Sequence, residues 1–97
     1  MKILALEREV ERVDPAKFTA HLKKEEAARV WELVQQDTIR ETYFRANRSE
    51  AVLVLECQDL DEAGRVLGSL PLVQAGLIRF ETIPLVPYPG FARLFAE

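Results

Sequence analysis

Two hydrophobic patterns set the fold of this chain. Ala51-Val52-Leu53-Val54-Leu55 is apolar at every position, so neither side of its pleat is polar, which marks a central strand covered on both faces. Between Phe18 and Gln36 the apolar positions recur at helical spacing instead. Ile3-Leu4-Ala5-Leu6, flanked by charge, predicts a short first strand of the buried kind. Asp14-Pro15 offers an N-cap followed by the proline suited to the first helical position, so a helix is expected over residues 15–36. Residues 39–46 alternate bulky and polar side chains as a second strand does, and Asn47-Arg48-Ser49 is a turn signal. Asp59 and Glu62 form a capping pair for a second helix through Leu60, Ala63, Val66, Leu67 and Leu70, and Leu70-Pro71-Leu72 ends it. Gly64 and Gly68 share one side of that helix, which fits either close packing or a slightly weak exposed surface. Residues 77–86 give a fourth strand, with Ile78, Phe80 and Thr82 on one face and Arg79 and Glu81 on the other. Pro84, Pro87, Pro89 and Gly90 then make a stiff, non-pairing stretch before the apolar tail of Phe91, Leu94 and Phe95.

The resulting order, βαββαβ, is the ferredoxin-like split pattern: one α+β domain over residues 1–97, with a four-stranded antiparallel sheet and two helices on one face. A packing problem follows. Two helices cover one side of such a sheet, whereas the first and third strands call for burial on both. A second copy of the same sheet is the economical cover, so the sequence predicts a dimeric α+β barrel, as a homodimer or a larger homo-oligomer. The tail over residues 84–97 is expected to contact a neighbouring subunit, because three large apolar side chains left in water would form an unusual patch.

Composition narrows the partners. Thirteen basic residues against 16 acidic give a net charge of −3, with no basic block to neutralise a run of phosphates, so nucleic acid is not an expected partner. The central apolar strand also lacks the aromatic and basic side chains of an RNA-recognition sheet. No stretch has the length of a membrane span or of a signal-peptide core, which together with a lone cysteine predicts a cytoplasmic protein. Cys57 follows a strand and reads as a buried, inert thiol. One histidine and one cysteine do not make a metal site at any spacing present, and neither a glycine-rich phosphate loop nor a Gly-x-Ser-x-Gly elbow occurs. The expected ligand is a small molecule, with no metal and no cofactor.

The sharpest chemical signal is Glu26. Taking about 100° per residue from Phe18, the side chains of Leu22, Leu33, Glu26, Val30 and Val34 fall within one arc from about 40° to about 160°, with Glu26 near its middle. Desolvation on such a stripe disfavours the ionised carboxylate, which suits a proton-transfer group. Its structural alternative is a buried ion pair with Lys23, Arg29 or Arg40. His21 falls on the opposite, polar face among Lys24, Glu25, Glu32 and Gln35, which assigns the only histidine to solvent. Trp31 lies at the edge of the stripe, where it either packs or stacks on a ligand.

Several of these residues resemble the muconolactone isomerases and their relatives among the dimeric α+β barrel proteins. The resemblance covers nearly the whole chain in length and element order. It rests on Asp14-Pro15-Ala16, Leu22-Lys23 followed by Glu26 and Leu33, Thr38 with Arg40, and Leu70-Pro71-Leu72. It implies a cofactor-free isomerase, working in a homo-oligomer, that moves a carbon–carbon double bond in a small unsaturated lactone acid by a 1,3-proton shift. Glu26 would be the base and Arg40 the cation that holds the carboxylate or the developing enolate. Leu22, Val30, Trp31, Tyr43, Phe44 and Leu72 are the candidate ligand-binding side chains. The chain departs from the resemblance at Glu41, where a histidine is expected after the arginine, and this reverses the local charge capacity. Two other readings share the fold: a non-catalytic oligomeric ligand-binding or structural module, and a small monooxygenase, cofactor-free or haem-dependent, which would draw on Asn47 and Trp31.

Overall fold

The computed structural model describes residues 1–96, so residue 97, the end of the predicted tail, lies outside it. Four strands, β1 (Lys2–Glu9), β2 (Ile39–Phe44), β3 (Ala51–Glu56) and β4 (Ile78–Leu85), form one antiparallel sheet in the order β2-β3-β1-β4. The helices are α1 (Ala20–Gln35), α2 (Leu60–Gly68) and the short α3 (Pro71–Gln74). This is the ferredoxin-like arrangement expected of the sequence. Register explains the core. Ile3 pairs with Leu55 and Ala5 with Leu53, while Ile39 continues the row from Leu55 into β2. Beneath the helices these five side chains are at most 4% exposed, joined by Leu33 of α1, Ala63 and Leu67 of α2, and Leu70. Each large aliphatic side chain so buried contributes roughly 1.5–3 kcal/mol.

The first helix starts later than its sequence signals suggest. Asp14 does cap, its carboxylate accepting from the Ala16 N–H at 2.9 Å, but what it opens is a single 3₁₀ turn, Pro15–Lys17. Phe18 breaks the turn, and the α-helix begins afresh with Thr19 as N-cap, whose hydroxyl accepts from the Leu22 N–H at 3.1 Å. At the other end Asp37 sits at φ +62°, with its N–H on the Val34 carbonyl and the Thr38 N–H on that of Leu33. That left-handed cap turns the chain directly into β2. Leu70-Pro71-Leu72 does more than end α2: Pro71 occupies the first position of α3. Pro84, expected in a non-pairing stretch, lies within β4 opposite Ile3, and the sheet accepts it because β4 is an edge strand. Gly64 and Gly68 face open space, since a Cβ at either would meet nothing within 4 Å, so α2 presents an exposed surface there and not a close contact.

Burial on both faces is met only in part within one chain. The side of the sheet away from the helices carries Leu4, Leu6, Val52, Val54 and Ile83, all half-buried, with Leu85 exposed. Beyond β4 a 3₁₀ segment, Pro89–Phe95, leaves the body, with Phe91, Leu94 and Phe95 exposed at 65%, 75% and 85%. The ring of Tyr88 folds over Gly90, where a Cβ would collide with it, and meets Phe91 edge to face at 5.0 Å. The molecule is therefore elongated, 60 × 28 × 23 Å, with a Cα radius of gyration of 15.9 Å. A compact chain of this length would have a radius of about 12–13 Å. Among the described residues no helix is long and apolar enough to cross a membrane.

Candidate active site

Helix α1 does not close down on the sheet. Of its side chains only Leu33 is fully buried; Leu22, Glu26, Val30 and Val34 are half-buried, although all share the sheet-facing stripe. The edge strand opposite is equally open, with Tyr43 and Phe44 at 56% and 69% exposure and Trp31 on the helix rim at 61%. A cleft of about 580 Å³ results, with Glu26, Val30, Trp31 and Val34 as its roof and Leu53, Ala51, Glu7 and Phe80 as its floor. That volume suits a small organic molecule. A second recess of about 710 Å³ adjoins it and shares Glu7, Lys23, Phe44 and Leu72 with it.

Glu26 hangs into this cleft from α1. Its Oε1 accepts a hydrogen bond from the Leu72 N–H at 2.9 Å. Leu72 follows Pro71 at the start of α3, where backbone N–H groups have no partner within the helix, so the Leu-Pro-Leu corner supplies the donor that positions the carboxylate. Burial pushes the Glu26 carboxyl above the ordinary carboxylate range, and the Leu72 N–H partly opposes that. No basic group is within ion-pair distance of Glu26 among the described residues. Arg29 is engaged with Ser69 Oγ and Glu32, and Arg40 Nε donates to the Asp37 carbonyl. Lys23 lines the cleft but forms no ion pair there.

A second carboxylate faces the same space. Glu7 lies on β1 two residues beyond Ala5, on the side of the strand that faces the helices, and its Oε1 accepts from the Ala51 N–H at 3.0 Å. Burial again raises its pKa, against the Ala51 N–H, and the charges of Glu50 and Glu26 push it further up. Glu50, a buried charged side chain just before β3, is itself held by Arg48 Nε at 3.1 Å and Arg45 Nη1 at 3.4 Å. Those two arginines therefore serve the β2–β3 hairpin.

The structure brings Glu26, Val30, Trp31, Tyr43, Phe44 and Leu72 together around the cleft. It does not bring Leu22 or Arg40 there. Arg40 lies at a β-bulge between Ile39 and Glu41 on the outer edge strand, is exposed, and follows the helix-side Ile39, so neither alternation nor the bulge brings it into the cleft. Glu41, the departure noted above, accepts from the Tyr43 hydroxyl at 2.8 Å, and this hydrogen bond, with the carboxylate's charge, raises the Tyr43 pKa. His21 is solvent-exposed and contacts Glu25 at 2.7 Å, while Asn47 accepts from Arg45 in the hairpin turn, so neither reaches the cleft. Cys57 is buried, and burial pushes its thiol up. Among the described residues no group of three or more His, Cys, Asp or Glu side chains is placed to hold a metal ion. Two charged residues that line the cleft were not among the predicted site residues. Glu7 continues the Ile3, Ala5 alternation, and Lys23, at about 140° on the helical wheel, falls inside the apolar arc.

No protein-family model and no curated protein sequence matches this chain. Solved structures do. The chain is similar to muconolactone isomerase with a TM-score of 0.73 and 23% identity over 92% of each chain. It is also similar to the 5-chloro-2-hydroxyhydroquinone dehydrochlorinase of Burkholderia phenoliruptrix, in complex with 2,5-dihydroxybenzoquinone, with a TM-score of 0.60 and 15% identity over 93% of this chain and 98% of that one. At these identities the likeness is one of fold, and the fold of this chain is that of the muconolactone isomerase-like α+β proteins.

Proposed function

We propose that this protein is a small-molecule isomerase that shifts a carbon–carbon double bond in an unsaturated lactone acid, with Glu26 as the proton-transfer base. One observation carries the reading: a half-buried carboxylate, with no cationic partner among the described residues, faces a cleft of about 580 Å³. An acidic C–H placed against Glu26 would lose its proton to the carboxylate, and the electron pair would spread through the double bond onto the lactone carbonyl. Return of the proton to the far carbon completes the shift. A carboxyl whose pKa is raised is a stronger base once ionised and holds the proton well enough to deliver it again. Val30, Trp31, Phe44 and Leu53 line the cleft with apolar surface beside Glu26, which lowers the polarity around the reacting carbons. Lys23, the cation inside the cleft, takes the part of holding the substrate carboxylate for which the sequence offered Arg40. The two similar solved structures support the choice, one being named for a lactone and the other for a hydroxylated ring. The uncovered sheet face around Leu4, Leu6, Val52, Val54 and Ile83 supports self-association through a second copy.

The test is turnover of muconolactone, followed by proton NMR, for the wild type and Glu26→Gln. The wild type should isomerise it, and the variant should lose about 10²-fold or more in kcat. Saturable binding of the lactone without turnover by the wild type would make the chain a binding module, and a fully active Glu26→Gln would remove Glu26 from the chemistry.

A further inference from the structure

The reaction proposed above uses one carboxylate, and the cleft holds two. Glu7 stands where the sheet-side row of Ile3 and Ala5, both 0% exposed, passes from closed core into open cleft. An apolar side chain there would extend the core. The chain instead places an acid with no basic partner within ion-pair distance among the described residues, one oxygen fixed by the Ala51 N–H. Glu26 descends from the helix above and Glu7 rises from the sheet below, and both line the same cleft.

We propose that Glu7 is a catalytic residue that works as a neutral acid across the cleft from Glu26, donating a hydrogen bond to the substrate oxygen on which charge collects when Glu26 removes the proton. The inference rests on the isomerase reading and adds to it the group that stabilises the intermediate. In the forward step the substrate C–H bond breaks, its proton passes to Glu26, and the electron pair moves to the carbonyl oxygen, which the Glu7 O–H faces. In the return step Glu26 gives the same proton to the far carbon and the pair forms the new C–H bond. Glu7 keeps its proton throughout, so the substrate changes only in the position of its double bond. Both carboxyls line one cleft and burial disfavours the charge on each, but Glu7 is the one whose ionisation is also opposed by Glu50 and, to a smaller degree, by Glu26. The other groups facing the pair are accounted for: Glu50 is bound by Arg45 and Arg48, the Tyr43 hydroxyl is spent on Glu41, and Lys23 lies at the side shared by both recesses. A carboxylic acid kept neutral in an apolar site can make a strong donor to an enolate oxygen.

The experiment is the pH profile of muconolactone isomerisation for the wild type, Glu7→Gln and Glu7→Leu, with melting curves confirming that each variant is folded. The wild type should give a bell, rising as Glu26 ionises and falling as Glu7 does. Glutamine donates a hydrogen bond at every pH, so Glu7→Gln should keep the acidic limb and lose the basic one. Leucine donates none, so Glu7→Leu should lose about 10²- to 10³-fold in kcat with KM little changed. A basic limb unmoved in Glu7→Gln, or Glu7→Leu turning over within roughly threefold of wild type, overturns the role of Glu7 alone. A wild type inert towards muconolactone overturns the isomerase reading and this inference with it.

Discussion

Replacing Glu26 by glutamine keeps an oxygen for the Leu72 N–H and removes only the charge, so its effect on stability separates a poised acid from half of an ion pair. Breaking a buried pair costs on the order of 3–5 kcal/mol, because the abandoned partner stays charged and buried. For a domain of about 100 residues each kcal/mol moves Tm by about 4–8 °C, so that case predicts a fall of at least about 12 °C. The structure predicts much less. No basic side chain is left unpaired, and the exchange of a charge-assisted hydrogen bond for a neutral one costs about 1 kcal/mol. Relief of a half-buried charge opposes that cost. Glu26→Gln should therefore melt within roughly 8 °C of the wild type at neutral pH. The pH dependence has a definite sign. With its pKa raised in the folded state, Glu26 binds more protons folded than unfolded, so its contribution to stability falls as pH rises from the unfolded value near about 4.3 through the raised folded one, and is level above that. The variant lacks this step and should gain on the wild type between pH 4 and neutrality. Thermal melts followed by circular dichroism at several pH values measure both effects. A fall of more than about 12 °C at pH 7, or a wild type that gains on the variant as pH rises, would refute the reasoning.

Two other predictions concern the scaffold. Thr19→Ala should destabilise the domain by about 1 kcal/mol, because it removes the cap of a sixteen-residue helix, while Asp14→Ala, which caps one 3₁₀ turn, should cost less than half of that in chemical denaturation; the reverse order would place the helix start at Pro15 after all. Sedimentation at micromolar concentration should give at least twice the 11.1 kDa chain mass, lowered by Leu6→Lys with Val52→Lys, which face each other across the β1–β3 ladder on the uncovered side, and lowered also by deletion of residues 91–97. A wild type of monomer mass would remove the barrel.

What the sequence disclosed was whatever rests on a single period. The valine and leucine run of β3, the alternation of β4 and the stripe of α1 each declared their element, and element order then left few topologies to choose from. Errors arose where one signal serves two structures. Asp14-Pro15 begins a 3₁₀ turn as readily as an α-helix, and only the chain's need to turn at Phe18 selects between them. Leu70-Pro71-Leu72 reads as a stop because proline cannot continue a helix, yet the same proline suits the first turn of the next one. The β-bulge at Arg40 has no signature in Ile39-Arg40-Glu41, but the alternation does speak against Arg40 as a cleft residue, since Ile39 before it belongs to the core row under the helices.

The site was legible on one wall and not on the other, for the same kind of reason. Glu26 stands out because the stripe around it is long and otherwise apolar. Glu7 obeys an equally strict alternation, but the charged run Glu7-Arg8-Glu9 looks like the end of a strand, and β1 in fact continues to Glu9. Once both walls are known, the openness of α1 acquires a cause. Glu26 and Glu7 each hold one oxygen on a backbone N–H, and closing helix onto sheet would strip water from the other oxygen of each, a cost that fits a cleft along the stretch where they occur. Leu33, the fully buried side chain of α1, joins the core instead. Filling both positions with leucine would recover roughly 1.5–3 kcal/mol at each if the walls could meet. The packing this domain forgoes is thus confined to the residues that make the cleft, which is where a fold used for chemistry is expected to be weakest.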